Sequence, residues 1–253
     1  MRIDVLTAIP EFFRSPLQTS ILSRAQKKGV LLVGIHDLHA YSPDGRIDAP
    51  PYGGGAGMVI RVDIVVHALR SLQKERVYEE IIYLTPDGER LSQSLLNRLS
   101  LASALLLIAG HYKGIDDRIR HFVTREISIG DYVLTGGELP ALVLIDGIAR
   151  LLPGVLSDES SALEDSFQDD LLSPPIYTRP REFEGLRVPD ILLSGNHRAI
   201  EQWRMKMSQE RTLARRPELI PEDAAPPPPP THVAEDAFQR DKNEPASPGE
   251  ALS

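Results

Sequence analysis

Few side chains in this sequence have the types and spacing to do chemistry unaided. There is no cysteine, which excludes a thiol nucleophile, a thiolate metal site and a disulfide framework. The seven histidines show no metal-ligand spacing. Tyr52-Gly53-Gly54-Gly55-Ala56-Gly57-Met58 looks like a phosphate cradle, yet it lacks the Lys and Ser/Thr of a P-loop and the spacing of a dinucleotide fingerprint. A substrate-contacting loop fits it better. Arg150 closes an apolar stretch and Asp165 lies in a polar one. On residue type alone they read as a helix C-terminal cation and a solvated acid.

Backbone chemistry is better represented. Three glycine-bearing segments each follow an apolar, strand-like run: Leu84-Thr85-Pro86-Asp87-Gly88, Gly110-His111-Tyr112-Lys113-Gly114, and Ile129 to Gly137 with Pro140 just beyond. Glycines ahead of a helix let backbone N–H groups approach a ligand closely. Pro140 suits a first helical turn, where a missing N–H costs nothing. These segments read as the wall of a pocket.

The elements that must position them alternate. Arg2–Ile9, Val30–His36, Ile81–Leu84 and Ala104–Ala109 read as strands, and Ile127, Ile129, Val133 and Leu134 as strand residues around a Gly130–Asp131 break. Pro16–Lys28, Val62–Glu75, Ser92–Leu99, Asp116–Phe122, Ala141–Leu152 and His197–Arg216 read as helices. Leu38–Met58 is a long polar loop. Strand–helix alternation with continuous apolar strands predicts an α/β fold with a largely parallel sheet buried on both faces. Ligands bind such sheets beyond the strands' carboxyl ends, where the three glycine segments fall.

Composition bounds the rest. At 253 residues, with 42% hydrophobic and 25% charged, the chain can bury a substantial core. No apolar run approaches a membrane span, so no membrane partner is expected. Charge within MRIDVLTAIPEFF argues against a signal peptide, and a cytoplasmic location is expected. The net charge of −8 disguises an uneven distribution. Residues 221–253 carry −5, the first 220 carry −3, and 179–216 carry +4. A local basic face matters more for polyanion binding than the overall balance.

Taken together, PYGGGAGM, LTPDG, AGHYKG, ISIGDYVLTGGELPALVLIDGIARLLPGVL, EDSF, YTRPREFEGLRVPDILLSGNH and WRMKMSQERTLARRPELI resemble the bacterial tRNA (guanine-N1)-methyltransferases, in order and with compatible spacing from Met1 to about Ile220. The resemblance implies a SPOUT-class α/β sheet with a deep trefoil knot at the C-terminal part of the N-terminal domain, plus a small, mainly helical C-terminal domain. It implies residues 1–156 as the methyltransferase domain, 157–168 as linker and 169–220 as a tRNA-binding domain. The composition of 221–253, with its proline run and scattered charge, reads as a disordered acidic tail. The implied activity is methyl transfer from S-adenosylmethionine (AdoMet) to N1 of guanosine 37 in tRNA, by a homodimer. The implied AdoMet-binding residues are Leu84, Thr85, Pro86, Gly88, Gly110, Gly114, Ile129, Gly130, Asp131, Tyr132, Val133, Leu134, Gly136, Gly137 and Pro140. The implied catalytic residues are Asp165, as general base on N1, and Arg150, stabilising charge at O6. Family use of Mg²⁺ carries over without a site, because the sequence has no carboxylate cage.

Two residues depart from the family pattern. His111 and Lys113 stand where Arg and Glu are common, and Lys113 reverses a charge beside the cofactor pocket. A cation there helps only if it points to solvent or to RNA phosphate. Two other readings share the fold: a methyltransferase of the class acting on another RNA target, and a non-catalytic RNA-binding protein. Retention of Asp165 argues against the second, since a pure binder needs no base.

Overall fold

The computed structural model describes residues 1–156 and 165–220. The predicted tail at 221–253 and most of the predicted linker lie outside them. Backbone contacts divide the chain into two units, Met1–Ser173 and Pro174–Ser253.

The first unit is built on one sheet. Its strands are β1 (Arg2–Thr7), β2 (Leu32–Asp37), β5 (Glu80–Arg90), β6 (Ala104–Ala109) and β7 (Arg125–Ser128), in the spatial order β2-β1-β6-β5-β7. All neighbouring pairs are parallel. Two short strands, β3 (Asp48–Ala49) and β4 (Val59–Ile60), pair outside it. They bracket the glycine loop, so the predicted Leu38–Met58 loop is partly ordered by backbone pairing.

Apolar alternation explains the layering. On β6, Leu105, Leu107 and Ala109 join one core cluster, with α2 (Ser20–Lys27), α4 (Gln93–Leu99) and α5 (Glu138–Ala149). Leu106 and Ile108 join the other, under α3 (Val62–Glu75). A strand buried on both faces reads as a continuous apolar run, and every residue of β6 is buried. Helix α3 presents Ile64, Val65, Ala68, Leu69 and Leu72 inward at helical spacing. Ser92 caps α4, its side chain accepting the Leu95 N–H at 3.2 Å.

One carboxylate breaks the apolar pattern. Asp4, in the middle of β1, is buried. It accepts hydrogen bonds from Arg2 Nη2 at 2.7 Å and Tyr78 at 2.9 Å, and shares one with His36 Nε2 at 2.7 Å. Burial raises its pKa, but these partners outweigh burial and hold it well below the usual carboxylate range.

Three expectations need correction. The strand after Arg125 ends at Ser128, and 129–137 is irregular. Gly130 at φ +145° turns the chain away from the sheet, so Ile129, Val133 and Leu134 belong to a loop. Helix α5 starts at Glu138 and ends at Ala149, three residues earlier at each end than predicted. Asp117–Phe122 is a 3-10 turn rather than an α-helix.

The second unit contains a two-strand hairpin, β8 (Glu182–Phe183) and β9 (Leu186–Arg187), and a long helix, α6 (His197–Arg215). Asn196 caps α6 through the Ala199 N–H at 3.2 Å, and Trp203 packs against Tyr177 with ring centroids 6.5 Å apart.

Candidate active site

Strand β1 connects to β2 on one side, while β6 connects to β7 beyond β5 on the other. Connections leaving in opposite directions open a crevice at the strands' carboxyl ends. A cavity of about 700 Å³, open solvent at its mouth included, is lined there by residues of β5 and by those that follow β6 and β7.

Each wall has a local cause. The first is an excursion within β5: Leu84 and Glu89 both register with Ile127, so residues 85–88 loop out between them. Thr85 donates a hydrogen bond to Asp87, and Arg120 Nη2 donates to the same carboxylate at 2.6 Å. Arg120 also pairs with Asp117 and Glu126, which pushes its pKa up. It therefore ties the excursion to the 3-10 turn and to β7. Leu84, Thr85 and Pro86 line the cavity. Gly88 does not: a β-carbon there would lie 2.5 Å from Ile127 N, so its role is to let β5 rejoin β7.

The second wall follows β6. Gly110 and Gly114 line the cavity, and so do His111, Tyr112 and Lys113 between them. Tyr112 holds φ +60°, a left-handed conformation uncommon for a bulky residue, and remains half exposed at the mouth. Such strain concentrates at ligand sites.

The third wall is the 129–137 loop. Ile129, Gly130, Tyr132, Val133, Leu134, Gly136, Gly137 and then Pro140 line the cavity. Asp131 turns outward instead, to Arg90 at 2.6 Å. The loop closes on the second wall: Gly137 N donates to Gly110 O at 2.7 Å, and His111 bridges Gly136. A β-carbon at Gly137 would lie 2.8 Å from Ala109 Cα and 2.9 Å from Gly110 N. Only glycine lets these two backbones meet.

Glu138, Thr7 and Arg120 are structural parts of this site that sequence reasoning missed. Glu138 opens α5, 3% exposed, and accepts a hydrogen bond from Thr7 at 2.9 Å. Its other oxygen faces His111 Nδ1 at 3.5 Å, in ion-pair range, while that buried nitrogen has no hydrogen-bond partner. An acid in a first helical turn is a readable signal. Its contact with a residue 131 positions away is not.

Arg150 and Asp165 meet, but not at this cavity. Arg150 is the C-terminal cap residue of α5, and its Nη2 reaches Asp165 Oδ2 at 2.5 Å. Neither lines the cavity. Pro140 and Arg150 lie ten residues apart along one helix, about 15 Å at the helical rise.

A family model for tRNA (Guanine-1)-methyltransferase TrmD matches residues 1–222. The chain belongs to that family. Curated relatives named tRNA (guanine-N(1)-)-methyltransferase agree along nearly their whole length. One from Flavobacterium psychrophilum is 53% identical over 223 residues, 87% of this chain and 99% of the relative. Relatives from Porphyromonas gingivalis and Bacteroides thetaiotaomicron are 54% and 52% identical, with the same coverage. The TrmD match spans both units and ends where the proline-rich tail begins. A family of methyl-transferring enzymes requires a methyl donor.

Proposed function

We propose that this protein transfers the methyl group of AdoMet to N1 of guanosine 37 in tRNA. The convergence of three glycine-bearing strand-end loops on one cavity, in a chain of the TrmD family, carries this reading. The cavity fits AdoMet in character. Gly110, Gly114, Gly136 and Gly137 offer backbone amides and carbonyls without side chains in the way, and Leu84, Ile129, Leu134 and Pro140 offer an apolar bed. Bound there, AdoMet supplies a methyl group already activated by its sulfonium.

The remaining demands fall on the chain's own residues. Guanine N1 carries a proton at neutral pH, and its lone pair is unavailable until that proton leaves. Asp165 accepts the N1 proton. Arg150 donates hydrogen bonds to O6, where negative charge develops. Their 2.5 Å ion pair keeps them adjacent, as a base and an electrophilic stabiliser for neighbouring atoms of one ring must be. Among the described residues no cluster of histidines and carboxylates could hold Mg²⁺, and no step here uses it.

The separation of this pair from the cavity supports a homodimer in which one subunit's pair serves the other's cavity. On the outer side of α5, Leu139 and Val143 are 46% and 45% exposed one helical turn apart, an apolar patch suited to a second copy. The trefoil knot, the assignment of 169–220 to tRNA binding and of 157–168 to a linker, and a cytoplasmic location are parts of the same proposal. No described helix is long and apolar enough to cross a membrane. The test is to incubate unmodified tRNA with the enzyme and labelled AdoMet and to map the product nucleoside. N1-methylguanosine at position 37 is expected. Label on a ribose or another base would refute the assignment.

A further inference from the structure

Lys113 lines the cavity mouth, yet its position is dictated by the glycine loop. Lys113 N donates to Met58 O at 3.0 Å and Ile60 N to Gly114 O at 3.0 Å, so backbone bonds strap the loop to the second wall. The lysine stem then lies along the loop. A β-carbon at Gly57 would sit 3.1 Å from both Cγ and Cε, and one at Gly55 would sit 3.7 Å from Nζ. Gly53, Gly54, Gly55 and Gly57 all hold φ between +80° and +104°. Side chains are thus absent from the path that the stem takes. Lys113 takes part in none of the ion pairs among the described residues. At the head of the loop Tyr52 is fully exposed, and Tyr112 is half exposed beside the lysine.

An unpaired ammonium on a methyltransferase pocket is puzzling if it serves the donor, because a sulfonium repels it. Laid over the loop, it instead presents charge toward whatever covers the mouth. We propose that Lys113, positioned by the glycine loop, binds a backbone phosphate of the RNA beside the target nucleotide, with Tyr52 and Tyr112 as stacking surfaces for its bases. Phosphodiesters are the anions that a nucleic-acid substrate brings to this mouth, and a lysine with aromatic neighbours is the usual means of holding a single-stranded segment. This rests on the reading of the chain as a tRNA methyltransferase.

The test uses the full chain with two variants. Lys113→Met keeps the stem over Gly57 without the charge, and Lys113→Arg keeps the charge. Affinity for an unmodified tRNA transcript is measured between about 50 and 200 mM salt, where each lost phosphate contact makes the log–log slope shallower by about 0.7–0.9. AdoMet affinity is measured in parallel by calorimetry. The expected result is a shallower slope and a several-fold weaker tRNA complex for Lys113→Met, and a wild-type slope for Lys113→Arg. An unchanged slope in Lys113→Met overturns the proposal. So does a loss confined to AdoMet, which would make the lysine a ligand of the donor's carboxylate. A wild-type enzyme that binds tRNA without methylating it would overturn the reading of the site instead, and the slope, which needs no turnover, still decides the lysine's contact.

Discussion

Replacing Asp165 with Asn tests the mechanism most directly, because the structure separates its effect on chemistry from its effect on stability. The side chain keeps its size and can still accept from Arg150, but it cannot take up the N1 proton. Both partners of the ion pair are more than a third exposed, at 38% and 39%. Solvent-screened pairs of this kind contribute about 0–1 kcal/mol to stability, a small part of the ~5–15 kcal/mol of an ordinary domain. Loss of a general base typically costs about 10²–10⁴ in rate, or roughly 3–5 kcal/mol at 1.36 kcal/mol per decade. The variant should therefore fold and melt nearly as wild type and bind AdoMet through the intact loops. Its single-turnover methylation of saturating tRNA should fall by at least about 10²-fold. Rapid-quench assays with labelled AdoMet give the rate, and calorimetry gives the affinity. Glu164→Gln, one residue earlier in sequence, is the control and should be mild. If Asp165→Asn methylates tRNA within about threefold of wild type, far below the general-base range, Asp165 is not the base and the mechanism is wrong.

Gly137→Ala should abolish AdoMet binding and lower stability by about 1–3 kcal/mol, since its β-carbon meets backbone at Ala109 and Gly110 that cannot move aside; thermal melts and calorimetry check both. Asp4 has a depressed folded pKa, so its stabilisation is complete above the unfolded value near 3.9 and is lost as pH falls below it. Asp4→Asn should remove that acid-side loss and cost about 3 kcal/mol at neutral pH by stranding its partners, measurable by denaturant titration across pH. Val143→Asp should yield a monomer mass by light scattering and an enzyme that binds AdoMet without methylating; an active monomer would refute the composite site. Deleting residues 223–253, beyond the family match, should leave methylation unchanged, and an inactive truncation would show that the tail takes part.

Much of the fold follows from local pattern. The apolar run Ala104–Ala109 determines a doubly buried central strand, and the helical spacing of Val62–Glu75 determines α3 to the residue, because burial on two faces or one leaves its period in the chain. The glycine segments after Ala109 and Ser128 stand where an apolar run stops because its sheet stops, whereas 85–88, read as a strand end, is an excursion within β5. Tertiary structure decided how they come together. Strand order places β6 between β1 and β5, a pairing of distant segments that no local period encodes. The Leu84–Glu89 excursion depends on a single partner, Ile127, absorbing both ends. Glu138 stands ahead of the helix predicted from Ala141, and its buried hydrogen bond with Thr7 joins residues 131 positions apart. Arg150 and Asp165 look unremarkable as residue types, and family resemblance alone singled them out. Their 2.5 Å contact arises where the chain beyond α5 returns to the helix's carboxyl end, and the length of that helix sets them apart from the cavity.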